Sequence, residues 1–261
     1  MPLALKTYPT LGEAGSALKE TGARYLGGGT LVVRSANEGD VSFSTFVRST
    51  DPALSVIDVK AGRATVGASV TMSAVAAHPD LSAIAMAAKA VGGPAVRNMA
   101  TVGGNLFAAA PYGDFAVALL ALDATVHTTA GDFGIEEFLA RRDGRIVAGV
   151  SFAVPLAGSF RFLKVSRVRP KGTSVLSIAA VFDVDAGVVG DARIALGCMA
   201  DRPIRARAAE MALAGATLGE EDVAPAVAAI GEGTEPITDA VASAWYRAEV
   251  LPVHFRRLLL E

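Results

Sequence analysis

The chain has 261 residues, and 24 Lys+Arg against 26 Asp+Glu leave a formal charge of -2. That balance excludes the concentrated basic surface by which duplex-binding proteins displace counterions, and it offers no basic helix to a membrane surface. Apolar residues at 52% against 19% charged exclude disorder, while the best apolar run, Phe115–Leu122, is far shorter than the roughly 18 to 20 residues that span a bilayer.

Taken in chain order, Thr10-Leu11-Gly12-Glu13 reads as a capping box that opens a helix to about Thr21, with Gly22 ending it. Arg24-Tyr25-Leu26 is a short strand that enters Gly27-Gly28-Gly29-Thr30, and Leu31-Val32-Val33 continues from there as an apolar segment. Leu54–Asp58 and Arg63–Ala68 read as strands, Thr71 as the cap of a helix over Met72–Ala77, and Ser82–Val91 as one Ala-rich helix. Gly92-Gly93-Pro94 breaks that helix. The stretch Arg97–Asn105 has neither helical nor strand periodicity although it lies between two apolar segments, which marks it as a loop with a purpose. Asp114 lies just before the apolar run Phe115–Leu122, in a position to cap a helix there. Ala124–Thr128, Arg145–Val154, Phe160–Val165, Ser174–Asp183 and Ala192–Met199 read as strands; Ala206–Ala214, Glu220–Ile230 and Asp239–Leu260 read as helices, the last kinked at Pro252. The order predicts an α+β fold with a separable C-terminal unit after about Pro155.

Two glycine clusters are the candidates for chemistry, because a diphosphate needs several N–H donors and only glycine-rich backbone approaches it closely. Gly27–Thr30 is neither a dinucleotide fingerprint, since the third template glycine falls on Val32, nor a P-loop, since no Gly-Lys-Ser/Thr follows. By itself it reads as either a tight turn or a phosphate cradle. Thr101-Val102-Gly103-Gly104-Asn105 adds a hydroxyl and an amide to two close-approach glycines, and reads as either a sugar- or phosphate-binding loop or a strand-end turn. Asp114 is either a helix cap or an acceptor for ligand hydroxyls. No catalytic acid, base or nucleophile is visible: His78, His127 and His254 lie far apart, and Cys198 is a single thiol that reads as a small core residue. One cysteine forms no internal disulfide and cannot by itself hold an iron–sulfur cluster or a structural zinc, so any metal chemistry is expected on another chain. Trp245-Tyr246-Arg247 reads as an aromatic anchor for the last helix. Met1–Thr10 shows no secretory signal, and a soluble, cytoplasmic protein is expected.

Read together, Ala64–Thr71, Pro94–Asn105, Pro111, Asp114 and Ala118–Ala124, with the loop-to-loop spacing from Gly27 to Thr101 and the closing Ala244–Leu260, resemble the medium, FAD-binding subunit of the molybdenum hydroxylases, the xanthine dehydrogenase and aerobic carbon monoxide dehydrogenase group. The resemblance implies a two-lobed FAD-binding domain of the vanillyl-alcohol oxidase (PCMH) type over residues 1–155, its lobes dividing near 55–60, and a C-terminal sheet-and-helix domain over 156–261. It implies FAD contacts from Tyr25, Leu26, Gly27, Gly28, Gly29, Thr30, Leu31 and Val32, from Thr101, Val102, Gly103, Gly104 and Asn105, and from Asp114, with Val91, Gly92 and Val150 at further matching positions. The two glycine loops would grip the diphosphate from both sides, and no residue here would be catalytic or bind metal. Partners would be a small subunit with 2Fe-2S clusters and a large molybdopterin subunit, assembled as a dimer of heterotrimers, with electrons leaving to an external acceptor. Three places depart from the family pattern: Ala110 stands for an acidic residue, Gly172-Thr173 for Gly-Asp, and Arg34–Ser55 lacks the basic and hydrophobic pattern. A flavin-free scaffold and a stand-alone flavin oxidoreductase are the alternatives.

Overall fold

A computed structural model describes residues 3–142, 145–168 and 172–260. A small lobe comprises β1 (Ala4–Tyr8), α1 (Leu11–Ala17), β2 (Ala23–Tyr25), α2 (Val32–Asn37) and β3 (Thr45–Ser49). Its sheet is parallel, in the order β1-β3-β2, and α1 buries Ala14 and Ala17 against Val47. The Thr10–Glu13 capping box forms as expected. The helix stops four residues early, however, and neither β1 nor β3 carries the apolar alternation that would have announced it. The expected apolar continuation of the glycine turn is the short helix α2.

The second lobe comprises β4 (Ile57–Lys60), β5 (Arg63–Gly67), α3 (Met72–Ala77), α4 (Ala85–Lys89), α5 (Pro94–Arg97), α6 (Val102–Leu106), α7 (Asp114–Ala121), β6 (Thr125–Thr128), β7 (Gly131–Gly134), α8 (Ile135–Ala140) and β8 (Val147–Ala153). Its five strands form an antiparallel sheet in the order β4-β5-β8-β6-β7. The strand expected at Leu54–Asp58 begins later, because the Asp51 carboxylate accepts from the Ala53 N–H (3.0 Å) and Pro52 starts a single-turn 3₁₀ helix. The helix expected over Ser82–Val91 is likewise divided, with a 3₁₀ turn over Pro79–Ile84 ahead of α4. The aperiodic stretch Arg97–Asn105 is the junction of two short helices, α5 with Pro94 at its first turn and α6 capped by Thr101.

The remainder comprises β9 (Phe160–Ser166), β10 (Ser174–Asp185), β11 (Val188–Gly197), β12 (Ile204–Arg205), α9 (Arg207–Leu213), α10 (Ala224–Ala229) and α11 (Ala244–Leu260), with the strands antiparallel in the order β12-β11-β10-β9. Side chains alternate across β10. Leu176, Ile178, Ala180 and Phe182 face the C-terminal helices, while Ala179 and Val181 join the core of the second lobe. That core reaches the sheet through α7, all eight residues of which are buried because it lies between the lobe and this sheet. The two units therefore share a core. α11 continues as one helix through Pro252, and Arg161 of β9 donates to the Leu258 and Leu259 carbonyls (2.8 and 2.6 Å) at its end. The expected aromatic anchor is corrected: Trp245 is 71% exposed, and the residue that fixes the helix is the fully buried Arg247, which donates to the Val175 carbonyl (2.5 Å) and pairs with Asp239 (2.7 Å).

Candidate functional site

In a parallel sheet, ligands sit beyond the carboxyl ends of the strands. At that end of the small lobe, the Leu26 N–H completes the pairing with β3 by donating to the Val47 carbonyl (2.8 Å). The next five N–H groups, of Gly27, Gly28, Gly29, Thr30 and Leu31, donate to no acceptor among the described residues, and internal bonding resumes with Val33 N–H to the Gly29 carbonyl (3.0 Å). A row of uncommitted backbone donors on a loop with few side chains is the chemistry of an anion cradle.

The cradle faces a cleft of about 320 Å³ between the lobes. Leu26, Gly27, Gly28, Gly29 and Val33 form one wall, Arg48 and Ser49 stand at the end of β3, and Ser69, Thr71, Asn98, Met99 and Thr101 form the wall of the second lobe. The glycine loop touches that opposite wall. A Cβ on Gly28 would run into the Met99 carbonyl, and one on Gly27 would lie 3.1 Å from the Thr101 hydroxyl. Gly28 is glycine because two backbones meet there.

The second glycine cluster differs from the first in that its backbone donors are committed within the chain. Val102 N–H donates to the Val70 carbonyl and Gly103 N–H to the Ala68 carbonyl (both 2.9 Å), Gly104 N–H to the Thr101 hydroxyl (3.1 Å), and Asn105 N–H to the Thr101 carbonyl (2.9 Å). Every one of these donors is engaged within the chain. A Cβ on Gly103 would come within 2.8 Å of that of Ala68, so this glycine allows α6 to pack on the end of β5. Asn105 is buried and its amide oxygen accepts from the Ala116 N–H (2.9 Å), fixing the first turn of α7. What this segment offers the cleft is Thr101.

Asp114 also has protein partners for both oxygens: Lys164 of β9 at 2.8 Å and the Ser174 hydroxyl of β10 at 2.6 Å. Lys164 donates as well to the Ala90 carbonyl (2.8 Å), placing this buried ion pair beside Val91 and Gly92. The Gly92 carbonyl is in turn held by Arg97 (2.6 Å). Val150 is completely buried in the second-lobe core, on a strand paired on both sides. Tyr25 packs in the small-lobe core, where burial raises its phenol above the ordinary value against a lowering interaction with the Ser49 backbone. Of the residues expected at the site, then, Leu26, Gly27, Gly28, Gly29 and Thr101 line the cleft. Thr30 and Leu31 continue the row of free donors beyond the lining residues, and Val32 begins α2. Tyr25, Val91, Gly92, Val102, Gly103, Gly104, Asn105, Asp114 and Val150 do not line it. Sequence reasoning missed Val33, Arg48, Ser49, Ser69, Asn98 and Met99, and took Thr71 only as a helix cap, which it also is (Ala74 N–H to its hydroxyl, 3.2 Å). Cys198 lies in the core with its thiol pushed up to about 12 by burial. His127 sits away from the cleft between Asp132 and Ser151 (2.8 and 2.9 Å). Among the described residues no group of three His, Cys, Asp or Glu side chains could hold a metal ion, and no helix is long and apolar enough to cross a membrane.

Fold and cleft together define a two-lobed α+β binding domain with an anion cradle at the parallel sheet, continuous with a sheet-and-helix domain. Residues 7–151 match the family model described as the FAD binding domain in molybdopterin dehydrogenase, and residues 161–261 match the CO dehydrogenase flavoprotein C-terminal domain. The chain belongs to this family of FAD-binding molybdopterin dehydrogenase subunits. It is 29% identical to the nicotinate dehydrogenase FAD-subunit of Eubacterium barkeri over 80% of this chain and 77% of that one. It is also 29% identical to the glyceraldehyde dehydrogenase medium chain of Sulfolobus acidocaldarius, over 64% of this chain; the match spans 63% of that relative's length. The fold matches that of quinoline 2-oxidoreductase from Pseudomonas putida 86 with a TM-score of 0.89 at 24% identity, over 100% of this chain and 96% of that one. The cleft suits the diphosphate of FAD: the unclaimed N–H groups of Gly27, Gly28 and Gly29 belong to residues that line it, and no carboxylate lines it.

Proposed function

We propose that the chain is the FAD-carrying electron-transfer subunit of a molybdenum hydroxylase. It would stand between the 2Fe-2S clusters of a small partner subunit, themselves supplied by a large molybdopterin subunit, and an external electron acceptor, in a cytoplasmic dimer of heterotrimers. The observation that carries the reading is the row of unclaimed N–H groups that begins at Gly27 and lines the interlobe cleft through Gly29, in a chain of this family.

When bound, FAD supplies the redox chemistry. The chain's own part is to bind and orient. The Gly27–Leu31 donors would meet the diphosphate, and the Thr101 hydroxyl would bound the opposite wall. The Asp114–Lys164–Ser174 group, with Asn105 and Arg97, would keep α7 and the Ala90–Gly92 segment in place behind the site. Arg48 is the only side chain with a formal charge lining the cleft among the described residues, so no acid or base stands there to process an organic substrate. That disfavours a stand-alone flavin oxidoreductase.

The test is the visible absorption spectrum of the purified chain, with chromatographic identification of what acid releases, followed by co-purification. Released FAD and recovery with one small Cys-rich chain and one large chain are expected. A colourless chain that takes up no added FAD would overturn the reading in favour of a scaffold, and a monomer oxidising an organic substrate unaided would overturn the partnership.

A further inference from the structure

We propose that Arg48 is the counter-charge for the phosphates of the dinucleotide bound in this cleft, an inference that rests on the FAD reading above. The backbone donors of the cradle are neutral, whereas a diphosphate carries negative charge into the space between the lobes. Arg48 stands at the carboxyl end of the central parallel strand, on the same cleft as the Gly27–Gly29 loop. Its neighbours Phe46, Val47 and Ser49 are buried, and it alone of the four is exposed.

Three other cations of the small lobe have carboxylate partners, Lys6 with Glu20 (2.8 Å), Arg24 with Asp40 (3.3 Å) and Arg34 with Glu38 (2.8 Å), and Lys19 does not line the cleft. The Arg48 side chain makes no hydrogen bond or ion pair with a described residue, its one electrostatic neighbour being the Tyr25 phenol, and no Asp or Glu lines the cleft that it enters. A guanidinium at the mouth of a row of N–H donors, without a competing carboxylate, is matched to phosphate oxygens, which it can engage with two parallel N–H bonds.

The experiment uses the full chain freed of flavin. FAD and riboflavin, which carries no phosphate, are titrated by fluorescence at several salt concentrations onto the parent, Arg48→Gln and Arg48→Lys. Because the Arg48 side chain has no hydrogen bond or ion pair in the fold, Arg48→Gln should melt close to the parent. It should bind FAD about tenfold more weakly at low salt, with a flatter salt dependence, while its riboflavin affinity stays at the parent value. Arg48→Lys should fall between, keeping the charge and losing the fork. Unchanged FAD affinity and salt slope in Arg48→Gln, or equal losses of FAD and riboflavin, would overturn the proposal. Failure of the parent itself to take up FAD would instead bring down the FAD reading, and the proposal with it.

Discussion

Replacing Lys164 with methionine keeps an unbranched stem and removes the ammonium group from a site where its side chain is 12% exposed and that of Asp114 8%. Asp114 would then be left as a buried carboxylate with one remaining bond, from Ser174, and the Ala90 carbonyl would lose its donor. Breaking a buried pair from one side costs about 3–5 kcal/mol, and the residual exposure lets water offset part of that, so a loss of about 3 kcal/mol is expected. In a chain of this size that corresponds to a fall in melting temperature of roughly 6–12 °C. The double variant Lys164→Met with Asp114→Leu removes both charges and should recover at least half of the loss, because no uncompensated ion remains. Calorimetry at pH 7 on the four proteins of the cycle measures both quantities. A drop below about 2 °C for Lys164→Met would refute the premise that the pair is desolvated.

Gly28→Ala should destabilise the chain by about 1–3 kcal/mol by driving a methyl group into the Met99 carbonyl. Gly12→Ala, in helix α1 with open space around it, should stabilise by up to about 1 kcal/mol, and denaturant titration of both variants checks the contrast. Flavin loss from a Gly28 variant would for the same reason report the broken loop contact before any diphosphate. Thr101→Ala removes the cap of α6 and should cost about 1 kcal/mol in thermal stability. The Cys198 thiol, with its pKa raised from 9.0 to about 12, stays protonated in the fold while the unfolded chain ionises near 9, so alkalinity above that value favours unfolding. A thiol reagent at pH 8 should label the native chain far more slowly than the chain in denaturant, and equal rates would contradict the burial.

Much of the fold was legible where a local rule and the tertiary packing agree. Thr10 and Thr71 cap helices as their sequence contexts require, β10 and α7 follow long apolar runs, and α9 keeps nearly its expected bounds, whereas β11 begins four residues before the expected Ala192. The small lobe was less legible. β1 is mostly exposed, and β3 has only five residues, so non-local parallel pairing decides both. Arg48 was hidden for that reason: no pattern singles it out until β3 is set beside β2. The second glycine cluster was visible as residues but not as chemistry. Whether an N–H is free depends on Ala68 and Val70, more than 30 residues away in sequence and next to it in space.

The sheet β9–β12, apolar on both faces, bears on how the polypeptide can be divided. A fragment ending at residue 155 would carry the whole interlobe cleft, yet would present the buried helix α7 and the carboxylate of Asp114 to water where β10, β11 and Lys164 had covered them. The remaining fragment would show solvent the face of β10 and β11 that α7 had covered. Two stretches that match separate family models are thus physically one piece, and a gene rearrangement exchanging either half among relatives would have to carry the complement of α7 with it.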